Sequence, residues 1–230
     1  MTLTALEIAR MLDISAVRAN SDDAAIAYLV ACAKKYTCCL VTVLPAQTRR
    51  AKDLLAGQTI VRLGGNVGFP SGGQTPRIKA AETKELLAMG CDEIDTVIDI
   101  AALLSRRTAD VLEDLHAVVE AAGDKPVKAI LECHYLNESQ IRTACDLAIR
   151  AGAAFVKTGT GWAPTGATLE NIRLIKAHVG DAIQIKASGG IRDLETLEEM
   201  RRLGATRFGI SAPSVVRMLE PLTDPTPPSP

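Results

Sequence analysis

What the sequence lacks most plainly is charge of one sign: 26 lysines and arginines face 27 aspartates and glutamates, a formal net charge of −1 over 230 residues. No field is expected that would hold a nucleic-acid backbone or an anionic membrane, and a small-molecule partner is favoured. The six cysteines (Cys32, Cys38, Cys39, Cys91, Cys133 and Cys145) form no CxxC pair, and no charged and apolar leader opens the chain. Both absences point to a reducing cytoplasm. His116, His134 and His178 lie far apart with neither HxH nor HExxH spacing, so no metal site is expected. No GxGxxG opens a helix, which argues against a doubly wound dinucleotide fold.

What is present is alternation. Short runs rich in valine, isoleucine and leucine fall at 11–14, 39–43, 60–63, 93–98, 127–131, 154–157, 183–187 and 206–210. Between them, helical periodicity covers 24–35, 47–55, 77–89, 108–122, 138–151, 169–178 and 194–203. Apolar strands taking turns with amphipathic helices is the pattern of a parallel sheet covered by helices. Gly90, Gly123, Gly152, Gly180 and Gly204 each follow a helix just before the next strand, where a left-handed residue closes the last turn. Eight such units predict a single α/β domain, a (β/α)₈ barrel over 1–219. The segment 220–230, with five prolines in its last ten residues, is expected to be a mobile tail unable to continue a helix.

In a (β/α)₈ barrel the chemistry forms at the carboxyl ends of the strands. Lys157 and Lys186 end the sixth and seventh expected strands, each ahead of a glycine-rich loop. Strands about 4.8 Å apart would bring two inward lysines close together, and a neighbouring cation and low dielectric both disfavour protonation. One amine is then free to attack a carbonyl near neutral pH. Lys157 is the candidate nucleophile and Lys186 its pKa-lowering partner; a lone lysine at a strand end more often snorkels into water. Strand alternation puts Glu93, Asp95, Val97 and Asp99 on one face, though Glu93 could fall outside the strand. An inward Asp95 needs a lysine partner and is a candidate proton carrier; the alternative is a loop or helix-cap residue. Glycine-rich turns at 64–65, 68–73, 159–161 and 188–190 could offer backbone amides to an anion. Barrels often bind phosphate after strands seven and eight, here 188–190 and 209–211.

The segments Phe-Val-Lys157-Thr-Gly-Thr-Gly, Ile-Lys186-Ala-Ser-Gly-Gly-Ile-Arg, Asp92-Glu-Ile-Asp95 and Val67-Gly-Phe-Pro, with Lys79-Ala-Ala-Glu, Ala129-Ile-Leu-Glu132 and Gly204-Ala-Thr-Arg-Phe-Gly209, run nearly end to end. In this order and spacing the chain resembles the deoxyribose-phosphate aldolase family. The resemblance implies a class I aldolase that interconverts 2-deoxyribose 5-phosphate with glyceraldehyde 3-phosphate and acetaldehyde in carbohydrate and deoxyribonucleotide catabolism, without metal or organic cofactor. It implies the Schiff-base role for Lys157, the tuning role for Lys186 and proton relay for Asp95. It also places Asp13, Thr42, Thr160, Trp162, Gly189, Gly190 and Ser211 at substrate-binding positions.

Departures from the family pattern gather around the substrate. The first strand continues Asp13-Ile-Ser-Ala-Val17 where Asp-His-Thr-Leu-Leu is common. Thr42 replaces a cysteine, and Leu44 precedes Pro45 where asparagine or tyrosine is common. Trp162 stands where phenylalanine or a phosphate-binding lysine is usual, and Ala212 replaces a serine. Two alternatives therefore stay open: an imine aldolase for a different or unphosphorylated aldehyde, and a non-catalytic barrel that binds a sugar phosphate. A homodimer or higher homo-oligomer is expected, because exposed barrel helices commonly support one.

Overall fold

A computed structural model describes residues 3–223. Eight strands, β1 (Leu12–Ala16), β2 (Leu40–Val43), β3 (Arg62–Val67), β4 (Glu93–Val97), β5 (Val127–Ile130), β6 (Phe155–Lys157), β7 (Gln184–Ser188) and β8 (Arg207–Ile210), pair in parallel in chain order. The β1–β8 pairing closes them into one barrel. The helices are α1 (Ala5–Ala9), α2 (Asp23–Tyr36), α3 (Thr48–Leu55), α4 (Pro76–Ala88), α5 (Ile100–Leu104), α6 (Thr108–Ala122), α7 (Glu138–Ala151), α8 (Leu169–Val179), α9 (Leu194–Arg202) and α10 (Ala212–Thr223). This is the (β/α)₈ barrel that the alternation predicts.

Local chemistry sets the element ends. Helix α7 opens with a capping box, Asn137 and Gln140 each accepting from the other's backbone N–H, and ends at Gly152 with φ 84° and ψ 22°. An L side chain in that left-handed conformation would be strained. Helices α1, α5 and α10 escape the periodicity: the first two have five residues each, too few for a helical repeat to show. Asp99 is not on the inward face of β4; the strand ends at Val97, and Asp99 accepts from the Ala102 N–H as the N-cap of α5.

Two expectations need correcting. The third strand is not 60–63 followed by a glycine turn; it runs Arg62–Val67, straight through Gly64 and Gly65. A Cβ on Gly64 would lie 2.7 Å from Leu40, and one on Gly65 would lie 3.0 Å from Leu86 and Ile94. Both glycines are therefore strand residues that let neighbours approach closely, not anion-binding turns. The tail, too, does not begin at Glu220, because α10 continues through Pro221 to Thr223. Buried Met218 and Leu219 hold the helix on the barrel, and Lys35 of α2 pairs with Glu220 at 3.1 Å. Residues 224–230 lie outside those described.

The strands divide two environments. Outward side chains such as Ile94, Val156, Ile185 and Phe208 join the apolar layer beneath the helices. The barrel interior is polar: Asp13, Glu93, Asp95, Lys128 and Lys186 are each no more than 1% exposed. Charges can occupy an interior only as mutually compensating partners.

Candidate active site

The interior charges form one cluster, centred on Asp95. Its Oδ1 accepts from Lys128 Nζ at 2.7 Å, and its Oδ2 accepts from Lys157 Nζ at 2.9 Å and Lys186 Nζ at 2.8 Å. Strand register makes this possible, since Asp95 lies beside Lys128 across β4–β5 and Lys157 beside Lys186 across β6–β7. Lys186 also pairs with Asp13 Oδ2 at 2.6 Å, and Lys128 with Glu93 Oε2 at 2.6 Å. Arg207 donates to Asp13 Oδ1 at 2.7 Å. Glu93 is the first residue of β4 and is buried, so it belongs to the strand rather than lying outside it; the half-exposed Arg62 also pairs with it.

Counting charges inside the barrel singles out one amine. Asp13, Glu93 and Asp95 face Lys128, Lys157, Lys186 and Arg207, so full protonation leaves one cation uncompensated. Among the described residues Lys157 has only Asp95 as an ion-pair partner, whereas Lys128, Lys186 and Arg207 each touch at least two carboxylates. The least-paired member of a buried cluster gives up its proton at least cost. Burial is the main force lowering the Lys157 pKa, to about 8; Lys186 and Lys128 add to it, and Asp95 opposes it. Lys186 is thus a secondary contributor to that shift. Lys128 goes the other way: burial would lower its pKa, but Asp95, Asp13 and Glu93 raise it. The Asp95 carboxyl is held well below its ordinary range by the three ammonium groups, against the effect of burial.

A second arrangement lies over the β6 loop. Glu132, buried after β5, accepts from the Thr160 N–H at 3.2 Å and from the Thr160 hydroxyl. The Trp162 N–H donates to Thr160 Oγ1 at 2.9 Å, and Trp162 Nε1 donates to the Val17 carbonyl at 2.9 Å. Arg18 donates to the Gly161 carbonyl at 2.7 Å, with its guanidinium 5.5 Å from the Trp162 ring. The loop after Lys157 is in this way tied to the loop after β1.

A cavity of about 580 Å³ opens between the loops after β1, β6, β7 and β8. Gly189, Gly190, Ser211, Ser214, Arg18 and Arg192 are on its wall. Gly189 and Gly190 have φ of 93° and 85°, conformations in which a glycine backbone can bring its amides close to an anion. Ser211 Oγ and Ser214 Oγ are 3.0 Å apart. Thr160 and Ser188 line the cavity and are three and two residues beyond the paired lysines.

The predicted residues fall into separate places. Lys157, Lys186, Asp95 and Asp13 meet in the interior cluster, while Gly189, Gly190, Ser211 and Thr160 border the cavity. Thr42 does neither: it donates to the Gly64 carbonyl at 3.2 Å and accepts from Asn66 Nδ2 at 2.8 Å on the β2–β3 side. Trp162 is not on the cavity wall; its indole donates to the Val17 carbonyl and it is 38% exposed. The turn at 68–73 has its first amide occupied, since the Gly68 N–H donates to Glu82 at 2.7 Å.

Sequence reasoning missed Lys128, Arg207 and Glu132. Lys128 had a signal, a lysine inside the apolar run 127–131 on the opposite face from Ala129. Glu132 and Arg207 fall inside segments that carry the family resemblance, but nothing local to those segments assigns either a role. Among the described residues, no cluster of His, Cys, Asp or Glu is placed to hold a metal ion, and no helix is long and apolar enough to cross a membrane. All six cysteines are free.

Comparison with known proteins gives a consistent picture. The family model described as DeoC/LacD family aldolase matches residues 11–211. A curated deoxyribose-phosphate aldolase of Klebsiella pneumoniae is 46% identical over 224 residues, covering 96% of this chain and 90% of that protein. One from an Exiguobacterium species is 44% identical over 207 residues, covering 90% and 94%. A solved aldolase called QR15 superposes with a TM-score of 0.88 at 33% identity over 94% of this chain and 96% of that one. The tetrameric deoxyribose phosphate aldolase of Aeropyrum pernix superposes with a TM-score of 0.87 at 25% identity over 97% and 94%.

Proposed function

The chain belongs to the DeoC/LacD family of aldolases, and on that premise we propose that it cleaves 2-deoxyribose 5-phosphate reversibly to glyceraldehyde 3-phosphate and acetaldehyde through an imine on Lys157. The observation that carries this reading is the Lys157 amine, buried, least compensated in its cluster, and lowered to a pKa of about 8. An unprotonated amine at near-neutral pH is what attack on an aldehyde requires.

The lone pair of Lys157 Nζ adds to the C1 carbonyl of the open-chain substrate. The resulting carbinolamine loses water to give an iminium ion, with Asp95, Lys186 and a water moving the protons. Asp95 suits that task because one of its oxygens touches both lysines. When the C3 hydroxyl gives up its proton, the C2–C3 electrons pass into the iminium, releasing glyceraldehyde 3-phosphate and leaving an enamine. Protonation of the enamine at C2 and hydrolysis of the new iminium free acetaldehyde and restore Lys157.

What supports a phosphate at the far end of the substrate is that Gly189, Gly190, Ser211, Arg18 and Arg192 all line the one cavity. Ser214 supplies a hydroxyl 3.0 Å from that of Ser211, which offsets the alanine at 212. A second reading, an unphosphorylated or different acceptor aldehyde, rests on the uncharged Trp162 in the loop after Lys157, at a position where a lysine would give charge. Turnover confined to unphosphorylated aldehydes in a substrate panel would select it.

Borohydride reduction in the presence of acetaldehyde, followed by peptide mapping, tests the central claim. The expected adduct is on the peptide carrying Lys157, and Lys157→Ala should lose both adduct and turnover while keeping its circular dichroism. A wild-type enzyme that turns over yet carries its adduct on another lysine would remove Lys157 from the role. The tetrameric relative supports assembly of this chain with copies of itself, measurable by sedimentation, and the free cysteines suit a cytoplasmic location.

A further inference from the structure

Glu132 combines two unfavourable features that the proposed reaction does not use. It is a non-glycine residue at φ 53° and ψ 63°, the left-handed region, and its side chain is a carboxylate in a residue 2% exposed. Among the described residues its hydrogen-bond partners are the Thr160 amide and hydroxyl rather than a cation. Strained backbone and buried unpaired charge persist only where the surroundings enforce them, and they cluster at functional sites. The enforcement is visible: the Leu131 N–H donates to the Lys157 carbonyl at 2.9 Å and the Cys133 N–H to the Thr158 carbonyl at 2.8 Å. Both neighbours of Glu132 are thereby pinned to the segment that begins with Lys157. Gly159 leaves the room needed, since a Cβ there would lie 2.7 Å from Glu132 Oε1.

We propose that Glu132 is a positioning residue for the Lys157 reaction, its carboxylate holding Thr160 so that the loop from Thr158 to Trp162 forms a fixed cover joined to the loop after β1. The Thr160 hydroxyl has one proton, which it donates to Glu132, and it accepts from the Trp162 N–H. Thr160 is therefore a relay in the loop rather than a hydroxyl donor to the substrate. From outside, Trp162 bonded to Val17 and Arg18 bonded to Gly161 complete the cover. The imine chemistry of the preceding section is assumed, but the loop's order can be measured apart from it.

Trp162 is the single tryptophan of the chain, so its fluorescence reports directly on this loop. In Glu132→Ala, acrylamide quenching of Trp162 should rise clearly. At the same time kcat should fall on the order of 100-fold, the scale of a small misplacement of reacting groups. KM for the phosphorylated substrate should change less than kcat, because Gly189, Gly190, Arg192 and Ser211 of the cavity wall lie after β7 and β8, outside this loop, and only Arg18 is tied to it. The pH midpoint of the acid limb should stay in place, and Glu132→Gln, which can still accept from Thr160, should recover most of the loss. A folded Glu132→Ala with wild-type quenching and kcat overturns the proposal, as does a loss explained wholly by a displaced pH limb. Should Glu132→Ala fail to fold, Thr160→Val tests the same link: quenching should rise, and Glu132→Gln combined with Thr160→Val should be no worse than Thr160→Val alone, whereas additive losses would overturn the proposal. If the unmodified protein shows no aldolase turnover, the activity assignment fails, and the quenching comparison alone decides whether Glu132 orders the loop.

Discussion

Lys157 and Lys186 are register partners on β6 and β7, and their ammonium nitrogens reach the same oxygen of Asp95, at 2.9 and 2.8 Å. One carboxylate oxygen thus serves two lysines in a water-poor interior. The pair cannot both stay protonated without leaving the cluster one positive charge in excess, and Lys157, with a single partner, is the group that yields.

That asymmetry fixes the direction of the pH dependence. The neutral form of Lys157 is the reactive one, so kcat/KM should rise with pH through an acid limb centred near 8 and level off above it. Lys186→Leu removes a cation that lowers the Lys157 pKa, so besides a large loss of rate the limb should move to higher pH. Because the groups are coupled, the limb reports an apparent value of the cluster. A limb in the Lys186→Leu variant that stays at its wild-type position would contradict the pairing.

Lys128 should matter more for stability than for chemistry. It is fully buried and touches both Asp95 and Glu93, so Lys128→Met takes one partner from each, leaving Asp95 to Lys157 and Lys186 and Glu93 to Arg62 and Arg207. Breaking a buried ion pair from one side costs about 3–5 kcal/mol, readable as a lower denaturant midpoint. Lys128 also contributes to the lowered Lys157 pKa, so a surviving folded fraction should show its acid limb displaced upward. Unchanged stability in this variant would mean that water reaches the cluster.

The phosphate wall can be separated from the amine by Gly189→Ala. Gly189 has φ 93°, and a Cβ on it would lie 2.9 Å from Gly166 Cα, so the substitution strains the turn and moves its amides. KM for deoxyribose 5-phosphate should rise roughly tenfold, the loss of about one good anion contact. Trapping of acetaldehyde on Lys157 should stay at the wild-type level, since acetaldehyde has no phosphate. Equal damage to both measurements would place the glycine turn in the imine chemistry instead.

Much of this architecture was legible in advance, for identifiable reasons. The runs of β2, β4 and β7 and the periodicity of α6 and α7 are local properties, fixed by which residues alternate or repeat at helical spacing. Strand three was misread because Gly64 and Gly65 look like a turn until Leu40 and Leu86 are seen pressing against them. Glu220 looked like the start of a tail because prolines follow it, while Met218 and Leu219 hold the helix from its other side.

By itself the sequence determined the barrel and the candidates Lys157, Lys186 and Asp95, because period and strand-end position are carried by neighbours along the chain. Only the tertiary structure decided that Lys128, Glu93, Asp13 and Arg207 join them, and that Lys157 is the amine left underpaired. Those facts depend on distances across a closed ring of strands and on the exclusion of water from its centre. Neither quantity is a property of any one segment.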